Sequence, residues 1–148
     1  MNVFEWVRLA RDPNHGQRKF IFVKDKVAQA CDRHRVHRAS VELLDGVYDV
    51  DCVKVADQTH PDFNNVFFDL AEASGMAELN QCELRTTLLG DTQIPLYHYG
   101  TEFIVRPMYI EEAAQAENPT LWYFGEGART KISGFSEFGD FVIAGVKS

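Results

Sequence analysis

Val41-Glu42-Leu43-Leu44-Asp45-Gly46-Val47-Tyr48-Asp49-Val50-Asp51-Cys52-Val53-Lys54-Val55 is the stretch that decides how the chain is read. Asp45-Gly46 separates two runs with strand-like composition. A two-residue Asp-Gly turn marks a type I′ hairpin, because both central residues need φ > 0. The second run alternates. Val47, Asp49, Asp51, Val53 and Val55 share one face, and Tyr48, Val50, Cys52 and Lys54 share the other. Period two around a short turn predicts antiparallel pairing.

Working toward the C-terminus, the same pattern recurs. Residues 82–89 read as a strand, and 94–99 with 102–110 as a hairpin around Gly100-Thr101. Pro95 and Pro107 belong at sheet edges or bulges, since neither can donate to the ladder. Residues 111–116 give a helical turn at most, and 120–124, 129–135 and 138–146 finish as short strands. Between these and the hairpin, Thr59-His60-Pro61-Asp62 opens a helix over 61–74. Phe63, Val66, Phe67, Leu70 and Ala71 form its core-facing stripe and Gly75 its stop.

Toward the N-terminus, Lys19-Phe20-Ile21-Phe22-Val23-Lys24 reads as a strand buried on both faces. Asn2 caps a short helix over 3–10, which ends at the turn cluster Asp12-Pro13-Asn14-His15-Gly16. Residues 25–34 are predicted helical, with Val27, Ala30 and Cys31 inward. The fold class that follows is α+β: a mainly antiparallel β-sheet or sandwich with one or two covering helices. No repeat or linker divides residues 1–148, so a single domain is expected.

Composition narrows the function classes. The chain has 148 residues, 45% apolar, with 11 Phe, 5 Tyr and 2 Trp, enough apolar area to argue against disorder. No apolar run approaches the roughly 18 residues of a membrane helix. Residues 1–11 carry Glu5, Arg8 and Arg11 and lack the apolar core of a signal peptide. Cys31, Cys52 and Cys82 are an odd, widely spaced set, which points to a reducing compartment rather than to disulfides, so the expected location is the cytoplasm or a virion.

The net charge of −7 is unevenly spread. Residues 1–38 hold nine Lys or Arg and four Asp or Glu, a balance of +5; the remainder stands at −12. Three readings compete. The basic segment neutralises its own acidic body, or one copy's basic face meets the next copy's acidic face in a heterologous contact, or the basic arm binds nucleic acid. The last is disfavoured by the overall negative charge and by the lack of free aromatics in the arm.

Several constellations carry possible chemistry. Cys31, His34 and His37 form C-x-x-H-x-x-H, a zinc-type donor set if one helical face gathers it, although Arg33, Arg35 and Arg38 oppose a dication. Asp49 and Asp51, two apart on a strand, are a carboxylate pair able to hold Mg²⁺ or Ca²⁺, set against a solvated strand face. Tyr97-His98-Tyr99 with Glu102 resembles an acid–base cluster, set against a structural histidine. Cys31 beside Arg33 and His34 invites a lowered thiol pKa. No nucleophile elbow, phosphate loop, dinucleotide fingerprint or H-E-x-x-H occurs. The tail Gly134-Phe135-Ser136-Glu137-Phe138-Gly139-Asp140-Phe141-Val142-Ile143-Ala144-Gly145, rich in aromatics and glycine, distantly resembles the closing strands of bacterial surface sandwich domains over those dozen residues, which imply no function.

The expectation is a non-enzymatic structural, assembly or adaptor subunit of a larger oligomer, of the kind found as phage-type virion accessory proteins. Its partners would be other protein subunits, with no cofactor, no metal and no membrane. The expected interface combines Arg33, Arg35 and Arg38 with the aromatics Trp122, Tyr123, Phe135 and Phe138, residue types enriched at subunit contacts. A metal-dependent hydrolase or nuclease, and an acidic inhibitor of a host protein, are the alternatives.

Overall fold

In the computed structural model, residues 1–56, 67, 70–77, 82–86, 93–98, 102–104, 107–116, 119–125 and 131–144 are described. Helix α1, Val3–Arg8, begins on a capping box: Asn2 Oδ1 accepts from Glu5 N at 2.8 Å, and Glu5 Oε2 accepts from Asn2 N at 3.1 Å. Strands β1 (Ile21–Lys24), β2 (Val27–Cys31) and β3 (Arg35–Ser40) then run as an antiparallel meander. Ile21, Phe22 and Val23 are all buried, as expected for a strand covered on both faces.

The type I′ geometry occurs twenty residues before the expected Asp-Gly. Asp25 and Lys26, joining β1 to β2, have φ of 52° and 61°. The predicted helix over 25–34 is therefore replaced by β2. Its Ala and Gln favour a helix locally, but ladders to β1 and β3 on either side override that preference. Asp32 sets the turn into β3, its Oδ1 accepting from His34 N and Arg35 N at 2.9 Å each.

The quoted stretch folds differently from its reading. Residues 41–44 form no strand, and β4 (Gly46–Tyr48) pairs with β1 rather than with them. Asp45 uses its carboxylate to accept from Asp25 N at 2.8 Å, tying this loop to the β1–β2 turn. The second run doubles back at 49–53: Asp49 Oδ1 accepts from Asp51 N and Val53 N, and Tyr48 bridges Lys54.

The predicted helix over 61–74 lies mostly outside the described residues. Within them, Leu70–Glu72 is one 3-10 turn, and Gly75 opens strand β5 (Gly75–Ala77) rather than ending a helix. Strands β6 (Cys82–Thr86), β7 (Gln93–His98) and β8 (Glu102–Ile104) form a separate three-stranded antiparallel sheet. Pro95 sits in the central strand, opposite Leu84 of β6, rather than at the expected sheet edge; among the described residues β8 pairs with Leu96, Tyr97 and His98. Helix α2, Pro107–Ala114, replaces the predicted end of a strand; proline at a first helical position is pre-set for the helix and has no N–H to leave unpaired.

Strands β9 (Leu121–Phe124), β10 (Lys131–Phe135) and β11 (Asp140–Ala144) form a second meander. β11 pairs with β3, so the two meanders become one eight-stranded antiparallel sheet, β4-β1-β2-β3-β11-β10-β9-β5. With the two short α-helices among the described residues, this is the α+β antiparallel architecture. Both helices contribute to one core with the sheet: Trp6 and Val7 from α1 with Ala10 just beyond it, Tyr109, Ile110 and Ala113 from α2, against Ala28, Ala30, Phe141, Ile143, Ile132 and Leu121.

Candidate functional site

Strand alternation divides β3. Arg35, His37 and Ala39 point to the helices, and Val36, Arg38 and Ser40 point away. On the helix side, a polar cluster pins both helices to the sheet. Trp6 is fully buried; its Nε1 donates to Ala113 O at 2.9 Å, which joins α1 to α2. His37 stacks on Trp6 at 4.4 Å and its Nδ1 lies 2.8 Å from Trp6 O, which fixes Nδ1 as the protonated nitrogen. Arg35 Nη1 donates to Glu112 Oε2 at 2.6 Å and Nη2 to Leu9 O. Its Nε lies 3.3 Å from Asp32 Oδ2, close enough for an ion pair but poorly aligned for a hydrogen bond. Its guanidinium also covers the Tyr109 ring at 4.4 Å.

These environments settle the protonation states. Burial pulls His37 down to about 3, against the pull of Trp6 O upward, so it is neutral at physiological pH. Burial pushes the Cys31 thiol up, outweighing the Arg33 N–H and Arg18, so the lowered thiol pKa expected from sequence is corrected. Neither group is a neutral-pH nucleophile or base. The C-x-x-H-x-x-H residues do not converge: Cys31 faces away from the helices, His34 stacks on Tyr109 from the exposed turn, and His37 is buried under Trp6. Asp49 braces its own turn and Asp51 is exposed, so they share no strand face. Among the described residues, no three His, Cys, Asp or Glu side chains gather as metal ligands. The side chains of Tyr97, His98, Tyr99 and Glu102 lie outside the described residues.

The expected interface residues separate. Arg33 is exposed in the turn, Arg35 is 6% exposed and ion-paired, and Arg38 donates to Asp140 Oδ2 at 2.9 Å and covers Phe67 at 3.7 Å. Arg35 and Arg38 are therefore neutralised by acids of the chain's own body, and the three do not form one exposed cationic patch. Tyr123 is buried on the helix face, and Phe138 packs toward Trp6 with ring centroids 6.1 Å apart. Trp122 and Phe135 do come together, edge to face at 5.6 Å, on the opposite face. Met76, paired with Trp122 across β5 and β9, extends that patch; Met76 is 49% and Phe135 48% exposed.

Two concave regions lie on the same face. A groove of about 480 Å³ beside Arg38 is lined by Lys24, Gln29, Ser40 and Asp140 among others, and carries both signs of charge. A cavity of about 160 Å³ at the β2–β3 turn is floored by Val36, Val142 and Ala144 and rimmed by Arg33, His34 and Lys131. Sequence reading missed Met76, this cavity and Leu44, which is 79% exposed. Leu44 had one visible signal, a second leucine beside Leu43 where alternation would place a polar residue.

No family model, curated protein or solved structure matches the chain. No helix among the described residues is long and apolar enough to cross a membrane.

Proposed function

We propose that the protein is a non-enzymatic assembly or adaptor subunit that presents the outer face of its eight-stranded sheet to other protein subunits. The observation that carries this is the Trp122–Phe135–Met76 patch. Phe135 and Met76, each about half exposed, lie beside the partly buried Trp122 at the β9–β5 end of the sheet, on the face opposite the helices. Such residues are enriched in the buried centres of subunit contacts and cost solubility when left exposed. The polar groups with perturbed acidity support the reading from the other side. His37 and Cys31 are held in neutral, structural states, which suits a scaffold more than acid–base or thiol chemistry. A virion accessory role is one setting for such a subunit.

Affinity capture from the cells that naturally make the protein tests the proposal, with Phe135→Asp run beside the unaltered chain. Retention of a stoichiometric partner, or of further copies, by the unaltered chain alone is the expected result. Identical eluates from the two chains would remove the patch as the contact, and empty eluates from both would remove the assembly role.

A further inference from the structure

Among the described residues, the most exposed large apolar side chain is not at the aromatic patch. Leu44 is 79% exposed, yet its backbone is held firmly. Its carbonyl accepts from Tyr48 Oη at 2.6 Å, the next residue's carboxylate accepts from Asp25 N at 2.8 Å, and Val41 and Leu43 on the same loop pack against the core. A leucine on a floppy loop would need ordering before it could bind. This one is already ordered, which removes part of the entropic cost of association.

The matching concavity lies at the other end of the same strands. The cavity floored by Val36, Val142 and Ala144 has a volume of about 160 Å³, scaled to one aliphatic side chain, whereas small-molecule pockets run to roughly 300–1,000 Å³. The charges around the two features are opposite. Residues 41–55 with the 24–26 turn hold five acids (Asp25, Glu42, Asp45, Asp49 and Asp51) and three lysines. Lys26 reaches Glu42 only at 3.8 Å with both side chains largely in water, a weak pair. At the cavity, Arg33 on the rim and Arg18 beside Cys31 outweigh the single net negative charge of the Arg35–Asp32–Glu112 group. The length of β3, roughly 3.3 Å per residue over six residues, separates loop and cavity, so one copy cannot place its own Leu44 in its own cavity.

We propose that Leu44 of one copy inserts into the Val36–Val142–Ala144 cavity of a second copy, with the acidic 41–55 segment against the basic rim, so that chains associate head to tail. The contact uses two different surfaces, so it is heterologous and propagates into a ring or an open filament. The inference rests on the assembly reading but not on the Trp122–Phe135–Met76 patch, which stays free for a different subunit.

Sedimentation velocity of the full chain over a range of concentrations tests it, with Leu44→Asp and Arg33→Glu prepared separately. Both positions are exposed, so both variants are expected to keep the native circular dichroism spectrum. The unaltered chain should show a sedimentation coefficient that rises with concentration and rises less at high salt. Leu44→Asp should weaken association about tenfold or more, since a leucine loses its burial and an acid faces an apolar floor. A mixture of the two variants should give a capped dimer and nothing larger, because each supplies the surface the other lacks. Association of Leu44→Asp at the unaltered strength, or a mixture that stays monomeric, would overturn the head-to-tail contact while leaving the assembly reading to the capture experiment. An unaltered chain that is monomeric at every concentration would overturn it as well.

Discussion

Arg35 and Arg38 leave the same strand on opposite sides, and their surroundings differ accordingly. Arg35 points into the helix layer, is 6% exposed, and meets two carboxylates, a backbone carbonyl and an aromatic face. Arg38 points outward, its side chain 37% exposed, and meets one carboxylate that is equally open to water, plus the ring of Phe67. The chemistry of the two side chains is identical. What differs is solvent, and with it the consequence of removing either one. Removing the buried guanidinium leaves a largely buried Asp32 and a Glu112 only 29% open to water without their counter-charge, whereas removing the half-exposed one leaves its partner to water.

The largest expected effect follows from that contrast. Arg35→Ala should destabilise the fold by about 3–5 kcal/mol, because Glu112 and Asp32 lose their counter-charge and Leu9 O its donor. Urea denaturation at pH 7 measures it. A loss below about 1 kcal/mol would mean that water reaches this cluster and the inside–outside contrast is false. Gly139→Ala comes next. A Cβ there would collide with the Arg38 carbonyl oxygen and press on Ala39, a backbone contact that cannot rotate away. About 1–3 kcal/mol is expected by the same measurement, from displacement of the β10–β11 turn off β3. A neutral substitution would show that the outward side of β3 yields more readily than its inward side.

The sheet was legible in outline and misread in detail, for identifiable reasons. The capping box at Asn2 and Glu5 and the buried run at Ile21, Phe22 and Val23 are local patterns, and local patterns were enough. The β2 segment was not, because its Ala28-Gln29-Ala30 core prefers a helix until β1 and β3 flank it. The Asp45-Gly46 turn was misplaced because several acidic turn residues compete, and the chain closed its type I′ turn at Asp25-Lys26 instead. At the site level, Trp122 and Phe135, two of the expected contact residues, meet on one face, but sequence could not divide Arg35 from Arg38. That division needs the strand assignment of 35–40, since two-residue periodicity separates positions 35 and 38 onto opposite faces, while a helix would place them on one. The Leu44 and Val36–Val142–Ala144 features come from distant segments that only the β3–β11 pairing brings into relation.

His37 sharpens the inward half of the comparison through pH. Its acidity is drawn down from the usual value of 6.5 to about 3 in the folded chain, so the unfolded chain binds a proton more readily. Its contribution is therefore fully present above pH 6.5 and is lost as the pH falls toward 3, at up to about 1.4 kcal/mol per pH unit. Protonation would place a cation between Trp6 and Arg35, with Nε2 buried and without a partner. The urea midpoint of the unaltered chain should drop between pH 7 and pH 5, and His37→Gln should flatten that drop even if it is less stable throughout. Equal slopes in both chains would locate the acid sensitivity elsewhere.

Arg38→Ala is expected to give the smallest effect, at most about 1 kcal/mol, with the ion pair and the Phe67 contact each giving a fraction of that. Salt distinguishes it from Arg35→Ala more sharply than magnitude does. Arg38 and Asp140 are both more than a third exposed, so raising the ionic strength to about 1 M shortens the screening distance to roughly 3 Å and should erase most of the Arg38→Ala loss. The Arg35→Ala loss should shrink much less under the same conditions, because Arg35 is 6% and Asp32 12% exposed and only Glu112, at 29%, is partly open to mobile ions. If both losses shrink together, the helix layer is as wet as the outer face, and the inward cluster cannot be what holds α1 and α2 to the sheet. If neither shrinks, the Arg38 contribution is mainly its stacking on Phe67, and the outer face of β3 is ordered by packing rather than by charge.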